Sequence, residues 1–260
     1  MLQDAYTFLL TLHQVQLGIM ADDVLDVGFG NLTYTSKMDS PYFNNILVNR
    51  LLTQDEIHAA EKIWAERKRA STFYFENTPR LDGLKTHLAT LGYQHAFEDC
   101  WMFHPGTGID SARFSEVKEV KTTEDLEVFL EIFDKSFQND DPQNPYGELG
   151  DGLEIARNAW LGLQGKNKLQ YFVAYQQGNA VAVSALTNYQ NHGYVSNVGS
   201  LRDVRGQGYG KLVTLFAVDQ SVKRGNTLHY LGTEEGHYPH EFYRRIGFET
   251  KYKAVGVSKS

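Results

Sequence analysis

Three glycines fall within five residues in the run Arg205-Gly206-Gln207-Gly208-Tyr209-Gly210-Lys211, and an apolar, helix-forming stretch begins at once with Leu212. Glycine lets successive backbone N–H groups turn toward one point with no side chain in the way. A helix starting there adds partial positive charge. The chemistry of such a threshold is the holding of a phosphate or pyrophosphate. The run is not a Walker A loop, since Arg205 stands where that motif needs its first glycine and Leu212 follows Lys211. Nor is it the dinucleotide fingerprint, whose third glycine falls one residue beyond Gly210 and whose loop opens a parallel βαβ unit. A tight strand-to-helix turn would use the same glycines, so the motif alone leaves both readings open.

A second cluster lies downstream in Glu241–Glu249, EFYRRIGFE, where Tyr243 offers a phenolic hydroxyl on a short helix bounded by Pro239 and Gly247. The elements that would position both clusters are legible from Ser115 onward. SEVKEVK alternates as a strand. TTEDLEVFLEIFDKSF opens on a Thr cap and places Leu126, Phe129, Leu130 and Phe133 at helical spacing. QNDDPQNPYGELGDG is a loop, and LEIARNAWLGL a second helix. YFVAY and AVAVSALT, joined by QQGN, form a hairpin, and YVSNV adds a third antiparallel strand before the glycines. The helix after them carries Leu212, Leu215, Phe216 and Val222 on one side and stops at Gly225. TLHYLGT, the Tyr243 helix and a last strand from Phe248 complete the order.

The 260 residues, 42% hydrophobic and 22% charged, carry apolar material for one large core or two smaller ones. The net charge of −7 excludes a general nucleic-acid binder, which needs a basic surface. The lone Cys100 makes no internal disulfide, and no Cys/His cluster suggests a metal. A cytoplasmic setting is expected. The first twenty residues, MLQDAYTFLLTLHQVQLGIM, have no basic start for a signal peptide and are too interrupted to span a membrane; they read as a helix.

VGSLRDVRGQGYG resembles the acetyl-CoA-binding segment of the GNAT superfamily of N-acetyltransferases, where a strand runs into Arg/Gln-x-x-Gly-x-Gly/Ala and then a helix; Arg205, Gly208 and Gly210 match. EFYRRIGFE resembles the family's Phe-Tyr-x-x-x-Gly-Phe segment through Phe242, Tyr243, Gly247 and Phe248. The two occur in the family's order with a strand between. The resemblance implies an α/β fold of α+β type, with a mixed, mostly antiparallel central sheet flanked by helices. It implies that Val198, Gly199 and Ser200 hydrogen-bond a pantetheine arm through their backbone. Arg205, Gly206, Gln207, Gly208, Tyr209, Gly210 and Lys211 would hold the pyrophosphate of acetyl-CoA as cosubstrate, with no metal. Tyr243 would give its proton to the departing thiolate. Family members often carry a Glu or His on the strand before the pantetheine segment; here Tyr194 and Ser196 stand there, and neither is a base at neutral pH. The Glu234, Glu235 and His237 cluster, with Glu234 first, or a chain of waters is left to take the proton. The implied reaction is acetyl transfer to the amine of a small molecule, with no nucleic-acid or membrane partner. The acids Asp140, Asp141, Glu148 and Asp151 would line a cationic entrance.

The first part of the chain repeats this pattern. STFYFENTPRLDGLKTHLATLGYQ and NTLHYLGTEEGHYPHEFYRRIGFE each give a strand, a turn, a helix, and an aliphatic-Gly-aromatic ending, pairing Gly92 with Gly247 and Leu88 with Tyr243. The helix TQDEIHAAEKIWAERKR, with its Thr53 to Glu56 capping box, stands where the glycine-headed helix stands later. The turn before it, ILVNRLL, has no glycine. Residues 1–114 are therefore expected to be a degenerate GNAT-like copy without a cofactor site, and 115–260 the acetyltransferase domain, a tandem arrangement. The first copy would complete the fold, wall the acceptor cleft or support a homodimer. Two other classes stay open: a non-catalytic CoA-binding module and a nucleotide-binding transferase of another fold.

Overall fold

The computed structural model describes residues 4–260, so the first three residues of the expected N-terminal helix lie outside it. The chain forms two compact units, one of residues up to Cys100 together with Lys251–Ser260, the other of Trp101–Thr250.

In the first unit, helix α1 (Ala5–Gln16) starts where Asp4 accepts a hydrogen bond from the Thr7 amide at 3.0 Å, and it buries Phe8, Leu9, Leu12 and Val15. Strands β1 (Asp23–Asp26), β2 (Asn31–Tyr34) and β3 (Asn45–Leu47) follow, antiparallel in sequence. Helix α2 (Gln54–Arg67) crosses over to β4 (Ser71–Glu76), which pairs parallel with β3 through Ile46 opposite Phe73 and Leu47 opposite Tyr74. Helix α3 (Asp82–Thr90) and strand β5 (Gln94–His104) come next, and the strand Glu249–Lys259 pairs antiparallel with β4. Ile57, Ala60 and Trp64 of α2 and Leu84 and Leu88 of α3 close one core over Phe73, Phe75, Val255 and Val257.

The second unit holds β6 (Val117–Glu119), α4 (Thr123–Lys135), α5 (Gly152–Leu163), β7 (Leu169–Gln176), β8 (Asn179–Tyr189), β9 (His192–Ser200), α6 (Tyr209–Lys223), β10 (Leu228–Thr233) and α7 (Tyr238–Arg245). Strands β6 to β9 run antiparallel in order, and β10 pairs parallel with β9. The expected mixed, mostly antiparallel sheet flanked by helices is thus found. Helix α4 begins at a capping box between Thr122 and Asp125, and Phe129 stacks on Tyr171 with centroids 4.1 Å apart. Helix α6 buries Val213, Ala217 and Val218 completely, whereas Val222, expected on the core side, is 40% exposed. Helix α6 is covered on more than one side, since Leu212, Leu215 and Thr214 are buried too, and the cover ends before Val222 in the last turn.

Candidate functional site

The site begins where β9 and β10 part. They pair only through His192 with Leu228, Gly193 with His229, and Tyr194 with Tyr230. Beyond these residues β9 runs on to Ser200 and β10 to Thr233, so the backbone groups of β9 on that edge face a gap. On the other edge β9 carries a bulge: Val183 lies opposite Gly199 and Ala185 opposite Ser196, so Ser184 faces both Asn197 and Val198. Asn197 adopts φ +50°, the left-handed region Asn tolerates better than most residues. The bulge re-aims Val198, Gly199 and Ser200, and all three line a cavity of about 310 Å³.

The glycine run forms the cavity's second wall. Gly206 (φ +79°) and Gly208 (φ +83°) are left-handed, and Gly208 is the N-cap of α6. As glycine it supplies no capping side chain. The first backbone bond of the helix runs from Leu212 N–H to Gly208 C=O. The amides of Gly208, Tyr209, Gly210 and Lys211 therefore have no backbone acceptor among the described residues, and the cradle drawn from the sequence is open. Its rim is fixed from outside. Arg113, ion-paired to Glu116, donates to the Gln207 carbonyl at 3.2 Å and lies over the Tyr209 ring at 4.6 Å. Gln207 accepts from Gln176 at 2.7 Å, and its own amide bonds to the Val204 carbonyl, so Gln207 braces the loop instead of offering a free N–H.

Arg205 also differs from a phosphate ligand in its side chain. Its guanidinium forks onto Asp141, with Nη1 to Oδ1 at 2.7 Å and a second bond from Nη2 to Oδ2, and the Asp141 side chain is 1% exposed. The same carboxylate accepts from the Gln143 amide, and Arg205 holds its pKa below the usual range. Arg202 pairs with Asp140 at 3.0 Å. The acidic entrance expected from the sequence is corrected accordingly: two of its four acids are neutralised by arginines that close the glycine loop. Gly199 has a packing reason as well, since a Cβ there would lie 2.6 Å from that of Ser136 at the end of α4.

Tyr243 lines the cavity from α7, and its hydroxyl has no hydrogen-bond partner among the described residues. Burial, and then the neighbouring hydroxyls of Tyr146 and Tyr194, raise its pKa far above a free phenol's, so it stays protonated and can donate. Tyr146 is held by a 2.9 Å hydrogen bond to Thr233 at the end of β10. Glu234 does not line this cavity and pairs with His237 at 3.3 Å. No acid or imidazole is among the cavity's lining residues. Sequence reasoning missed Arg113 and Asn197, and it named Asp141 as an entrance acid instead of the partner of Arg205; only Asn197, an amide residue just before Val-Gly, carried a local signal. Lys211 is exposed at the cradle without an ion pair among the described residues.

A parallel pair thus splays beside a bulged strand and ends at an uncapped, glycine-headed helix. Residues 126–248 match the model of the Acetyltransferase (GNAT) family. No curated protein matches the chain significantly. Among solved structures, a GCN5-related N-acetyltransferase from Kribbella flavida is similar at a TM-score of 0.65 and 19% identity, over 96% of this chain and 95% of that one. A functionally unknown conserved protein from Staphylococcus epidermidis ATCC 12228 gives 0.66 and 12%, over 93% and 94%. A tandem GNAT protein from the clavulanic acid biosynthesis pathway gives 0.56 and 15%, over 90% and 81%. No helix among the described residues is long and apolar enough to cross a membrane.

Proposed function

We propose that the chain is an acetyl-CoA-dependent N-acetyltransferase that acts on the primary amine of a small molecule by direct attack. The observation that carries this reading is one cavity lined at once by the open edge of β9 at Val198–Ser200, the uncapped amides at the head of α6, and Tyr243. The amides and helix N-terminus suit the pyrophosphate, and the strand edge suits the amides of the pantetheine arm. Fit is supported at Gly206, where φ is +79° and a Cβ would meet nothing within 4 Å, so this glycine serves backbone geometry and access, not packing.

In the reaction the amine nitrogen attacks the thioester carbonyl carbon, the carbon–sulfur bond breaks, and the acetyl group leaves on nitrogen. The nitrogen loses one proton and the sulfur gains one. Tyr243 donates its phenolic proton to the sulfur as negative charge develops there, and the tyrosinate left behind, more basic than the thiolate, takes a proton back from the solvent water that receives the amine's proton. With no acid or imidazole lining the cavity, the amine proton passes to water. That same feature favours a second reading, a CoA-binding module without turnover. Calorimetry with CoA and thiol release from acetyl-CoA across a panel of amines separate the two. Binding of one CoA per chain with amine-dependent release supports the enzyme; binding without release from any amine supports the module.

We further infer that the first unit is a degenerate copy of the second. Each holds one parallel strand pair joined through a helix, β3–α2–β4 and β9–α6–β10, among antiparallel neighbours. Each following helix ends alike: Tyr93 N–H to Leu88 C=O and Phe248 N–H to Tyr243 C=O, both 3.1 Å, with Gly92 at φ +90° and Gly247 at φ +103°. The head of α2 is closed, however. Thr53 Oγ1 accepts from the Glu56 amide, and Glu56, held down to about 2 by Arg50 and the Thr53 backbone, accepts from the Thr53 amide. Leu88, in the place of Tyr243, is fully buried. A stoichiometry of two CoA per chain would contradict this copy's lack of a site.

A further inference from the structure

The mouth of the cavity carries a cation that the reading above leaves unused. Tyr238, Phe242 and Arg245 form one stripe of α7, and all three line the cavity. Phe242 marks how near this stripe lies to the cradle, because a Cβ on Gly210 would sit 3.5 Å from its ring. The guanidinium of Arg245 lies over the Tyr238 ring, 5.8 Å from the centroid, and Tyr238 is 43% exposed. Other arginines around the site are committed: Arg113 to Glu116, Arg202 to Asp140, Arg205 to Asp141, and Arg244 to Glu241. Arg245 makes no ion pair or side-chain hydrogen bond among the described residues; Glu241, one turn away on α7, is already bonded to Arg244 at 2.8 Å and feels Arg245 only as a weaker charge effect. An aromatic face thus holds an unpaired guanidinium beside, but outside, the amides of the cradle.

Resting on the CoA reading, we propose that Arg245 binds the ribose 3′-phosphate of CoA, making the enzyme selective for CoA over acyl donors that lack this group. CoA carries two separate anionic groups, the pyrophosphate and a phosphomonoester on the ribose. The uncapped amides of α6 suit the first, and the planar donor fork of Arg245, displaced along α7 past Phe242, suits the second. Lys211 stands at the head of α6 itself and belongs with the pyrophosphate. Phosphopantetheine attached to a carrier protein has no 3′-phosphate, so this contact would also discriminate between free and carrier-bound donors.

The test is calorimetry on the full chain with CoA and with 3′-dephospho-CoA, at low and moderate salt, for the parent, Arg245→Gln and Lys211→Met. The parent is expected to bind CoA about tenfold more tightly than dephospho-CoA, the value of one charged contact of about 1.4 kcal/mol. The preference should shrink with added salt. In Arg245→Gln it should vanish, with dephospho-CoA affinity unchanged; in Lys211→Met both ligands should weaken together and the preference should persist. Equal binding of the two ligands by the parent overturns the proposal and leaves the CoA reading standing. So does a preference that survives Arg245→Gln, or one lost with Lys211 instead. Failure of the parent to bind CoA at all overturns both.

Discussion

Gly208 and Gly210 look equivalent in the sequence and are not equivalent in the fold, which makes an alanine at each a sharp test of the cradle. Gly208 sits at φ +83°, ψ 9°, and an added Cβ would meet only Arg113 Nη1, 3.8 Å away. Space is available, so the cost is conformational: an L-residue in the left-handed region gives up about 1–2 kcal/mol. The protein either keeps the backbone and loses that stability, about 2–4 °C in Tm for each kcal/mol, or relaxes the peptide and turns the amides out of line. Gly210 lies inside α6, and its Cβ would rest at 3.5 Å from Phe242 and 3.7 Å from Ser200 Oγ, ordinary contact distances. Alanine there removes a helix-destabilising glycine and overlaps nothing. By calorimetry and thermal melting, Gly208→Ala should lower Tm and weaken CoA about tenfold. Gly210→Ala should melt no earlier than the parent and bind CoA within about threefold, while Gly210→Val, which overfills the contact with Phe242 and Ser200, should lose binding. If Gly208→Ala matched the parent in both stability and affinity, or if the two alanines lost affinity equally, the left-handed cap would not be what shapes the site.

Other perturbations follow from the same geometry. Tyr243→Phe should leave CoA affinity unchanged and reduce turnover about 10²-fold, the size of a positioned proton donor. Because its pKa is raised, Tyr243 should impose no alkaline fall in rate below about pH 10, whereas the unfolded chain ionises there first, so stability should drop as pH rises through 10. Asp141→Asn breaks a buried fork and should cost about 3 kcal/mol in urea unfolding, with the acyl-donor KM raised; Asp140→Asn, on the exposed pair, should leave the unfolding midpoint in place. His13 is fully enclosed beside Asn31, at 2.9 Å, and burial holds its pKa down to about 4. The unfolded imidazole takes up a proton from about 6.5 downward, so roughly 3 kcal/mol of stability should disappear as pH falls from 6.5 to 4, a slope that His13→Gln should flatten.

What the sequence disclosed was local. The hairpin at Gln177 and Gly178, both left-handed, the glycine-headed helix and the aligned Tyr243 follow from turn chemistry and period over a few residues. Pairings across long separations left no such trace. Arg205 reads as a ligand in its motif because nothing near it indicates Asp141, and Asp140 and Asp141 read as a charged entrance because nothing near them indicates Arg202 and Arg205. A linear reading likewise divides the chain once, near residue 114; it gives the last strand from Phe248 but has no signal that this strand, Glu249–Lys259, pairs with β4 of the first unit, nor for the strand Gln94–His104. Arg245 was passed over because, in sequence, it is one of two adjacent arginines on a polar helix face; only its lack of an ion pair beside the paired Arg244 sets it apart.

The most direct test of acetyl transfer is to supply acetyl-CoA with an isotopically labelled acetyl group and a library of small amines, then follow the label into product for the parent and for Tyr243→Phe. The account predicts label on the nitrogen of at least one amine, thiol released in equal amount, and both slowed about 10²-fold by the loss of one hydroxyl. Tight CoA binding with no labelled amine, or transfer at an unchanged rate in Tyr243→Phe, would contradict it.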